Sequence, residues 1–203
     1  MNLEPRLLEN SFVRLEPMED RHRDGLRAAC EADPDIWTRL YPFSWAGEHF
    51  DPTWKTLRRD MEQGRTIGHA VVTSGEVVGL TCFSAIDPVN ASVEIGGTYY
   101  RPEARGGPVN PACKRLLMAA AFGAGARRVV YRVDALNERS RAAVLKLGAV
   151  QEGVLRQDRV TWTGRVRDTV IFSVLKAEWP GVRDGLDARL AALLLEERDL
   201  TGS

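Results

Sequence analysis

The chain is poor in cysteine, and the few that it has exclude a disulfide framework. Cys30, Cys82 and Cys113 are odd in number and far apart, mostly in apolar surroundings. Disulfide-rich domains use paired cysteines, and structural zinc sites use short Cys and His spacings. We therefore predict three thiols in the core.

The sequence also lacks an excess of either charge and lacks a long apolar run. Its 203 residues include 28 Lys+Arg and 28 Asp+Glu, so the totals show no basic excess of the kind that general nucleic-acid or membrane-surface binders have. No run approaches the roughly 20 apolar residues that cross a bilayer, and the first residues lack the basic-then-apolar order of a signal peptide. These absences predict a cytoplasmic protein with one domain and a sizeable core.

Familiar ligand motifs are missing as well. His22, His49 and His69 have no spacing that suggests zinc, so we predict no metal site and place these histidines on the surface or in loops. Neither the P-loop nor the dinucleotide-binding spacing of glycines is present.

Hydrophobic periodicity predicts an α/β fold with a mixed, mostly antiparallel sheet flanked by helices. Strand patterns occupy 12–16, 69–73, 76–83, 92–101, 128–133, 150–160 and 166–175, and helical patterns 20–33, 54–64, 111–123, 137–147 and 178–200. The strand at 92–101, the long helix after it and the next strand form the one βαβ unit. These two strands are therefore predicted to be parallel.

Two segments outside this framework have open interpretations. Between residues 36 and 54 lie six aromatic side chains, which form either a second core under a loop or a substrate-facing wall: Trp37, Tyr41, Phe43, Trp45, Phe50 and Trp54. The tail carries a leucine stripe that packs on the body or on a second copy in a homodimer: Leu186, Leu190, Leu193 and Leu194. We divide the chain into a domain at 1–180 and a helical extension at 181–203.

A glycine-rich loop joins the strand at 92–101 to the long helix. A loop of this kind before a helix N-terminus presents backbone N–H groups and the positive end of the helix dipole, which together favour phosphate. The predicted N–H donors are Gly106, Gly107, Val109, Asn110 and Ala112. Pro108 and Pro111 have no N–H, and Pro108 is the unexpected one because it lies within the predicted phosphate cradle. A simple turn is the alternative interpretation.

Four linked motifs resemble the GNAT superfamily of acyl-CoA N-acyltransferases, and most closely its RimJ/RimL-like branch. They are Glu-Ile-Gly-Gly-Thr-Tyr-Tyr from residue 94, Arg-Gly-Gly-Pro-Val-Asn-Pro-Ala-Cys-Lys from residue 105, Asp-Ala-Leu-Asn-Glu-Arg-Ser from residue 134 and Gly-Arg-Val-Arg-Asp-Thr from residue 164. The resemblance covers roughly residues 10–180. It implies the GNAT fold and direct transfer of an acyl group, usually acetyl, from coenzyme A to a primary amine.

The resemblance also implies where acetyl-CoA binds. In the family's pyrophosphate loop, Arg105 fills the first place, whereas Pro108 and Asn110 occupy places where the family has small residues. Pantetheine is expected along the backbone of Thr98, Tyr99 and Tyr100. Asn137 and Ser140 match positions near the start of the later helix that contact the cofactor.

Catalysis requires one proton to leave the ammonium and another to reach the departing thiolate. Glu94 is the candidate base because a carboxylate on a buried strand can have a raised pKa. The alternative is a glutamate that ties the sheet to a helix. Val144 stands where many members have a tyrosine acid, so the resemblance points to Ser140 as the acid. Ser140 as an ordinary capping residue is the alternative, and Tyr99 and Tyr100 are further candidate donors.

We therefore predict an acetyl-CoA-dependent N-acetyltransferase that acts on a protein N-terminus or a small amine. The rival prediction is an acyl-CoA-binding protein without transfer activity, because the loop is altered and the tyrosine is missing. Several arginines form either a solvated face or a site for the phosphate of coenzyme A or an acidic substrate: Arg127, Arg128, Arg156, Arg159, Arg165 and Arg167.

Overall fold

A computed structural model describes the backbone of residues 1–201 and the side chains of residues 1–195. The elements are β1 (Leu8–Glu9), β2 (Arg14–Pro17), α1 (Arg23–Glu31), α2 (Asp35–Leu40), α3 (Phe50–Glu62), β3 (Ile67–Thr73), β4 (Glu76–Asp87), β5 (Ser92–Tyr100), α4 (Val109–Gly123), β6 (Arg128–Asp134), α5 (Glu138–Lys146), β7 (Val150–Val160), β8 (Val166–Leu175) and α6 (Trp179–Thr201). No described helix is long and apolar enough to cross a membrane.

The eight strands form one mixed sheet in the order β1-β2-β3-β4-β5-β6-β8-β7. Every neighbouring pair is antiparallel except β5 and β6. These two parallel strands are joined through α4, which is the βαβ unit that the sequence predicts. The predicted fold class is confirmed.

The centre of the sheet opens between β5 and β6. The two strands pair only from Ser92 to Glu94, opposite residues 128–130. On its other side, β5 carries one extra residue relative to β4, so that Gly97 and Thr98 together oppose Thr81. Gly97 has φ +58, which a residue without a Cβ adopts at little cost. The bulge turns β5 away from β6 and leaves one edge of β5 unpaired beyond Glu94.

Two hydrophobic clusters lie on opposite faces of the sheet. The larger one packs α4 and α6 against the sheet, and Leu117, Met118 and Phe172 are among its fully enclosed side chains. The smaller one packs α1 and α3 against β3, β4 and β5, around Leu26 and Trp37. On this second face no described helix covers β6, β8 and β7, and charged side chains occupy it instead.

The aromatic segment is divided between a core and the wall of a cavity. Trp37, Trp45, Phe50 and Trp54 are buried in the smaller cluster, whereas Tyr41 and Phe43 line a cavity with neighbouring residues of this segment.

The tail packs on the body. Val182, Leu186 and Leu190 are buried in the larger cluster, and Asp187 pairs with Arg115 of α4 at 2.7 Å. The division at residue 180 and a homodimer stay predictions, and residues 202–203 of the predicted extension lie outside the described part.

Several local predictions need correction. The sequence pattern missed β1 and α2, and α4 begins at Val109 rather than at Pro111. His22 and His69 are buried, so their placement on the surface or in loops is wrong. His22 bridges the backbone of Glu19 and the carboxylate of Glu16, and His69 lies on β3, where burial lowers its pKa to about 4. The three cysteines are buried thiols, as predicted.

The bulge depends on close contact between β4 and β5, which Gly79 permits. A Cβ added to Gly79 would lie 2.0 Å from the carbonyl oxygen of Tyr99. We expect Gly79→Ala to lower the free energy of unfolding by about 3 kcal/mol, because two paired backbones must move apart. Chemical denaturation measures this. The control is Gly123→Ala, where the Cβ meets nothing within 4 Å and a change within about 1 kcal/mol is expected. Equal effects of both variants would contradict the argument.

Candidate active site

A cavity of about 530 Å³ fills the opening between β5 and β6. The diverging strands form its base, and the loop before α4 and the start of α5 form one end. At the other end lie α2 and residues 41–43, opposite charged side chains of β6, β7 and β8. The cavity therefore runs from a glycine loop at a helix start, past an unpaired strand edge, to a polar and aromatic chamber.

The glycine loop presents free backbone donors at the first end. The N–H groups of Gly106, Gly107, Val109 and Asn110 donate to no described residue. Gly106 has φ +86, and Gly106, Gly107 and Asn110 line the cavity. The donor role predicted for Ala112 is wrong, because its N–H bonds to the Pro108 carbonyl at 2.9 Å inside α4.

Pro108 lies outside the cradle that the sequence suggests. It is the N-cap residue of α4, and with Val109 it lines a second, smaller hollow. A proline at a helix start removes no hydrogen bond that the helix needs. The absence of an N–H at Pro108 therefore does not affect the free N–H groups of the neighbouring residues.

Arg105 holds the glycine loop in place through contacts with two neighbouring segments. Its Nε donates to the Tyr100 carbonyl at 2.7 Å and its Nη1 to Asp33 Oδ2 at 2.5 Å. Its guanidinium also lies 5.3 Å from the ring centre of Tyr99. Arg105 thus ties the end of β5 to the segment after α1, although it also lines the cavity.

Thr98, in the bulge, forms hydrogen bonds with three other side chains. Its carbonyl accepts a hydrogen bond from Tyr41 Oη at 2.7 Å. Its hydroxyl accepts one from Lys114 Nζ at 2.8 Å and contacts the Thr81 hydroxyl at 2.8 Å. Lys114 is buried in the cavity wall, and burial lowers its pKa to about 8. A cation thus lies directly under the unpaired part of β5.

The start of α5 brings two predicted residues into the cavity. Asn137 caps the helix, since its Oδ1 accepts from the Ser140 N–H at 3.0 Å. The Ser140 hydroxyl makes no hydrogen bond with a described residue, so the capping group is Asn137 rather than Ser140. Val144 is buried one turn later and also lines the cavity.

Glu94 lies where β5 and β6 part. Its carboxylate folds over Gly96, because a Cβ there would lie 2.7 Å from Glu94 Oε1. The Glu94 carboxylate forms an ion pair with Arg132 Nε of the neighbouring strand β6 at 3.3 Å. Glu94 therefore does not tie the sheet to a helix. Burial raises the pKa of Glu94, while Arg132, Arg159 and Arg167 oppose that rise. A carboxylate with a raised pKa in a cavity is suited to accept a proton.

The two tyrosines predicted as further donors have other partners. Tyr99 Oη donates to the Ala29 carbonyl at 2.9 Å, on the opposite face from α4, and Tyr100 Oη contacts Asn110 Oδ1 at 3.3 Å. Burial raises the pKa of both hydroxyls. The side chains of Tyr99 and Tyr100 therefore stabilise the packing around the site.

Comparison with known proteins decides the family. The family model described as the acetyltransferase (GNAT) domain matches residues 13–150, more than half of the chain. The chain belongs to the GNAT acetyltransferase family. It is an acetyl-CoA-dependent N-acetyltransferase, as the resemblance implies, and its acceptor is an amine.

Individual relatives agree with this assignment. YdaF of Bacillus subtilis, provisionally named a ribosomal N-acetyltransferase, is 29% identical over 130 residues, which are 64% of this chain and 69% of YdaF. A GCN5-related N-acetyltransferase from Brucella melitensis has a TM-score of 0.85 and 32% identity, over 92% of this chain and 86% of that one. Mycobacterium smegmatis RimJ, solved in complex with CoA-disulfide, has a TM-score of 0.79 at 22% identity over 91% and 94%, and shares the fold.

The GNAT site fits acetyl-CoA. Free N–H groups at the start of α4 suit a pyrophosphate, and the unpaired edge of β5 suits the amide groups of a pantetheine arm. Arg139, Lys146 and Arg189 line the same end of the cavity and form no ion pair with a described residue. They supply positive charge for a phosphate.

Sequence reasoning placed Tyr41 among six aromatic side chains without assigning it a contact, and it assigned no role to Lys114 or Arg132. Tyr41 belonged to the aromatic segment but had no signal that separated it from its buried neighbours. Lys114 lies in the largely apolar helix α4, but Arg115 follows it directly, so the sequence did not show which of the two cations is buried. No described cluster of His, Cys, Asp and Glu is arranged to hold a metal ion.

The position of Pro108 predicts that it is not needed for cofactor binding. We expect Pro108→Ala to change acetyl-CoA affinity by less than about threefold, because the free N–H donors of the loop belong to its neighbours. Gly106→Ala should weaken binding about tenfold, because a left-handed φ costs a non-glycine residue about 1–2 kcal/mol. Titration calorimetry gives both values. A larger loss in Pro108→Ala than in Gly106→Ala would place the proline in the cradle after all.

Proposed function

We propose that Glu94 and Ser140 perform the two proton transfers of amine acetylation in this protein. One observation carries the proposal: Glu94 of β5 and Ser140 of α5 line the same cavity at the opening of the sheet. Acetyl-CoA supplies the thioester and a thiolate leaving group. The chain supplies the groups that bind, orient and exchange protons.

Glu94 is the proposed base, directly or through water. Its side chain is 18% exposed, so it is mostly shielded but reachable from the chamber. Arg132 orients the carboxylate, and its positive charge opposes the rise of the Glu94 pKa that burial causes. An ammonium entering between Phe43 and Arg132 meets this carboxylate first.

Ser140 is the proposed acid, on the cofactor side. Its backbone N–H is fixed by Asn137, which holds the first turn of α5 in place while the hydroxyl remains free. Backbone N–H groups of Gly106, Gly107, Val109 and Asn110 are proposed to hold the pyrophosphate, and the backbone of residues 98–100 and Asn137 the pantetheine arm. Arg105 positions the loop.

The acceptor is proposed to be the amine of a protein N-terminus or of a small molecule. YdaF is provisionally named for ribosomal acetylation, which supports a protein N-terminus. The chamber opens beside α2 and residues 41–43, so an extended chain end has an entrance. A panel of amines with thiol release as the readout decides between the two acceptor types.

Glu94→Gln tests the base. We expect kcat to fall about 10²- to 10⁴-fold, with acetyl-CoA still raising the melting temperature as in the parent protein. In the parent, kcat should rise with pH through the pKa of Glu94, above the usual carboxylate range, because the base acts only when deprotonated. The control is Glu48→Gln, an exposed carboxylate outside the cavity. Unchanged kcat in Glu94→Gln across the pH series would rule Glu94 out.

Ser140→Ala tests the acid. We expect the single-turnover rate to fall about tenfold, a modest loss because a thiol with a pKa near 8.5 leaves readily even as the thiolate. Ser140→Thr keeps a hydroxyl and should retain most of the rate. Rapid quenching of a premixed enzyme and acetyl-CoA complex separates this step from binding. An identical rate in parent and alanine variant would remove Ser140 from the mechanism.

A further inference from the structure

Arg167 on β8 is a buried cation at the acceptor end of the cavity. Only 5% of the residue is exposed, yet it lines the cavity together with Glu94, Arg132 and Arg159. Its Nε donates to Thr169 Oγ1 at 3.1 Å. Neither terminal nitrogen of Arg167 donates to a described residue. A buried guanidinium with free donors is costly unless a ligand or water completes it.

The nearby carboxylates are each engaged by another arginine. Asp134 pairs closely with Arg165 and accepts the Leu136 N–H at 3.0 Å. Its distance to Arg167 Nε is a longer 3.7 Å.

The other two carboxylates follow the same pattern. Asp158 is held by Arg159 at 3.0 Å and by the Thr169 hydroxyl at 2.8 Å. Glu94 is held by Arg132 at 3.3 Å. Arg167 therefore shares its one paired carboxylate, Asp134, with the closer Arg165, and its terminal nitrogens bind no carboxylate within the described residues.

The charge excess persists through the reaction. Proton transfer from the ammonium to Glu94 removes one positive and one negative charge from the same chamber, while Arg132, Arg159 and Arg167 stay charged. Burial lowers the pKa of Arg167, Asp134 opposes that fall, and the nearby positive charge of Arg159 adds to it. An anionic group on the acceptor would offset this excess of positive charge. The site is partly shielded from water, and charge pairs are stronger there than in water.

We propose that the amine acceptor carries a carboxylate, and that the terminal nitrogens of Arg167 bind it. This inference rests on the proposed function of Glu94 only in placing the amine beside that residue. A guanidinium fork matches the two oxygens of a carboxylate. One spare positive charge matches a single negative charge better than a doubly charged phosphate. The apolar wall at Ile36, Leu40 and Phe43 faces the carbon skeleton of the acceptor.

Matched acceptor pairs test the proposal by binding alone. The small-molecule pair is 6-aminohexanoate and 6-aminohexanamide, and the peptide pair is a tripeptide amide with glutamate at its second position and its glutamine counterpart. With coenzyme A present, calorimetry should show the carboxylate member of one pair binding about tenfold or more tightly, because charge-assisted hydrogen bonds are the stronger ones. The pair that discriminates tells whether the carboxylate belongs to a small molecule or to a protein N-terminus.

Variants assign the preference to Arg167. Arg167→Gln should abolish it, and Arg167→Lys should retain part of it as a point charge. Arg156→Gln, an exposed arginine of β7 outside the cavity, removes the same charge and should leave the preference unchanged. Equal binding of both members of both pairs to the parent protein overturns the proposal, and so does a preference that survives in Arg167→Gln. If Arg167→Gln does not fold, the parent and the lysine variant still decide.

Failure of the proposed proton transfers remains distinguishable. Thiol release in Glu94→Gln tests the base, whereas acceptor binding in Arg167→Gln tests the anion site. A preserved carboxylate preference with unchanged turnover in Glu94→Gln would reject the base and keep the anion site. Loss of turnover in Glu94→Gln without any carboxylate preference would do the reverse.

Discussion

The parting of β5 from β6 is the constraint on which the rest of the site depends. Two parallel strands that stayed paired to their ends would leave no room in the sheet, and every backbone group would be satisfied internally. Here the pairing stops after Glu94, and the bulge at Gly97 and Thr98 turns β5 aside. The opening supplies the cavity, the unpaired strand edge and the boundary between a cofactor end and an acceptor end.

Charge around this opening is distributed according to burial. Lys114 lies beneath the bulge with a lowered pKa, and Glu94 lies above the point of parting with a raised pKa. Desolvation is the main cause of both shifts. The same enclosure that moves these pKa values makes the free terminal nitrogens of Arg167 informative, since at an exposed position bulk water would satisfy them.

The fold was predictable because its signals are local and repeated. Alternation identified the long strands, periodicity identified α4 and α5, and the single crossover assigned the parallel pair. Short elements such as α2 escaped because one or two turns carry too little pattern. Buried His22 and His69 were misplaced because composition does not reveal which polar residue has a partner.

The site was predictable only as far as motif positions reach. Glu94, Asn137 and Ser140 lie together in the cavity because the resemblance fixes their elements. The contacts that individual side chains make across the sequence were not predicted. Tyr41 meets Thr98 across 57 residues of sequence, and Arg105 meets Asp33 across 72, contacts that only the tertiary structure defines. The role of Pro108 depended on where α4 begins, and helix boundaries are the least certain part of any pattern.

The Arg105 and Asp33 pair has a consequence for how this protein changes over evolution. It fastens the cofactor loop to the segment that leads into the acceptor chamber, and Tyr41 fastens that same segment to the bulge. A substitution that reshapes α2 to admit a new amine therefore also pulls on the groups that hold coenzyme A. The hairpin of β7 and β8 is attached to the same segment, because Trp162 donates to the Trp37 and Pro42 carbonyls at 2.9 and 3.2 Å. Acceptor choice and cofactor affinity are therefore coupled on both walls of the chamber.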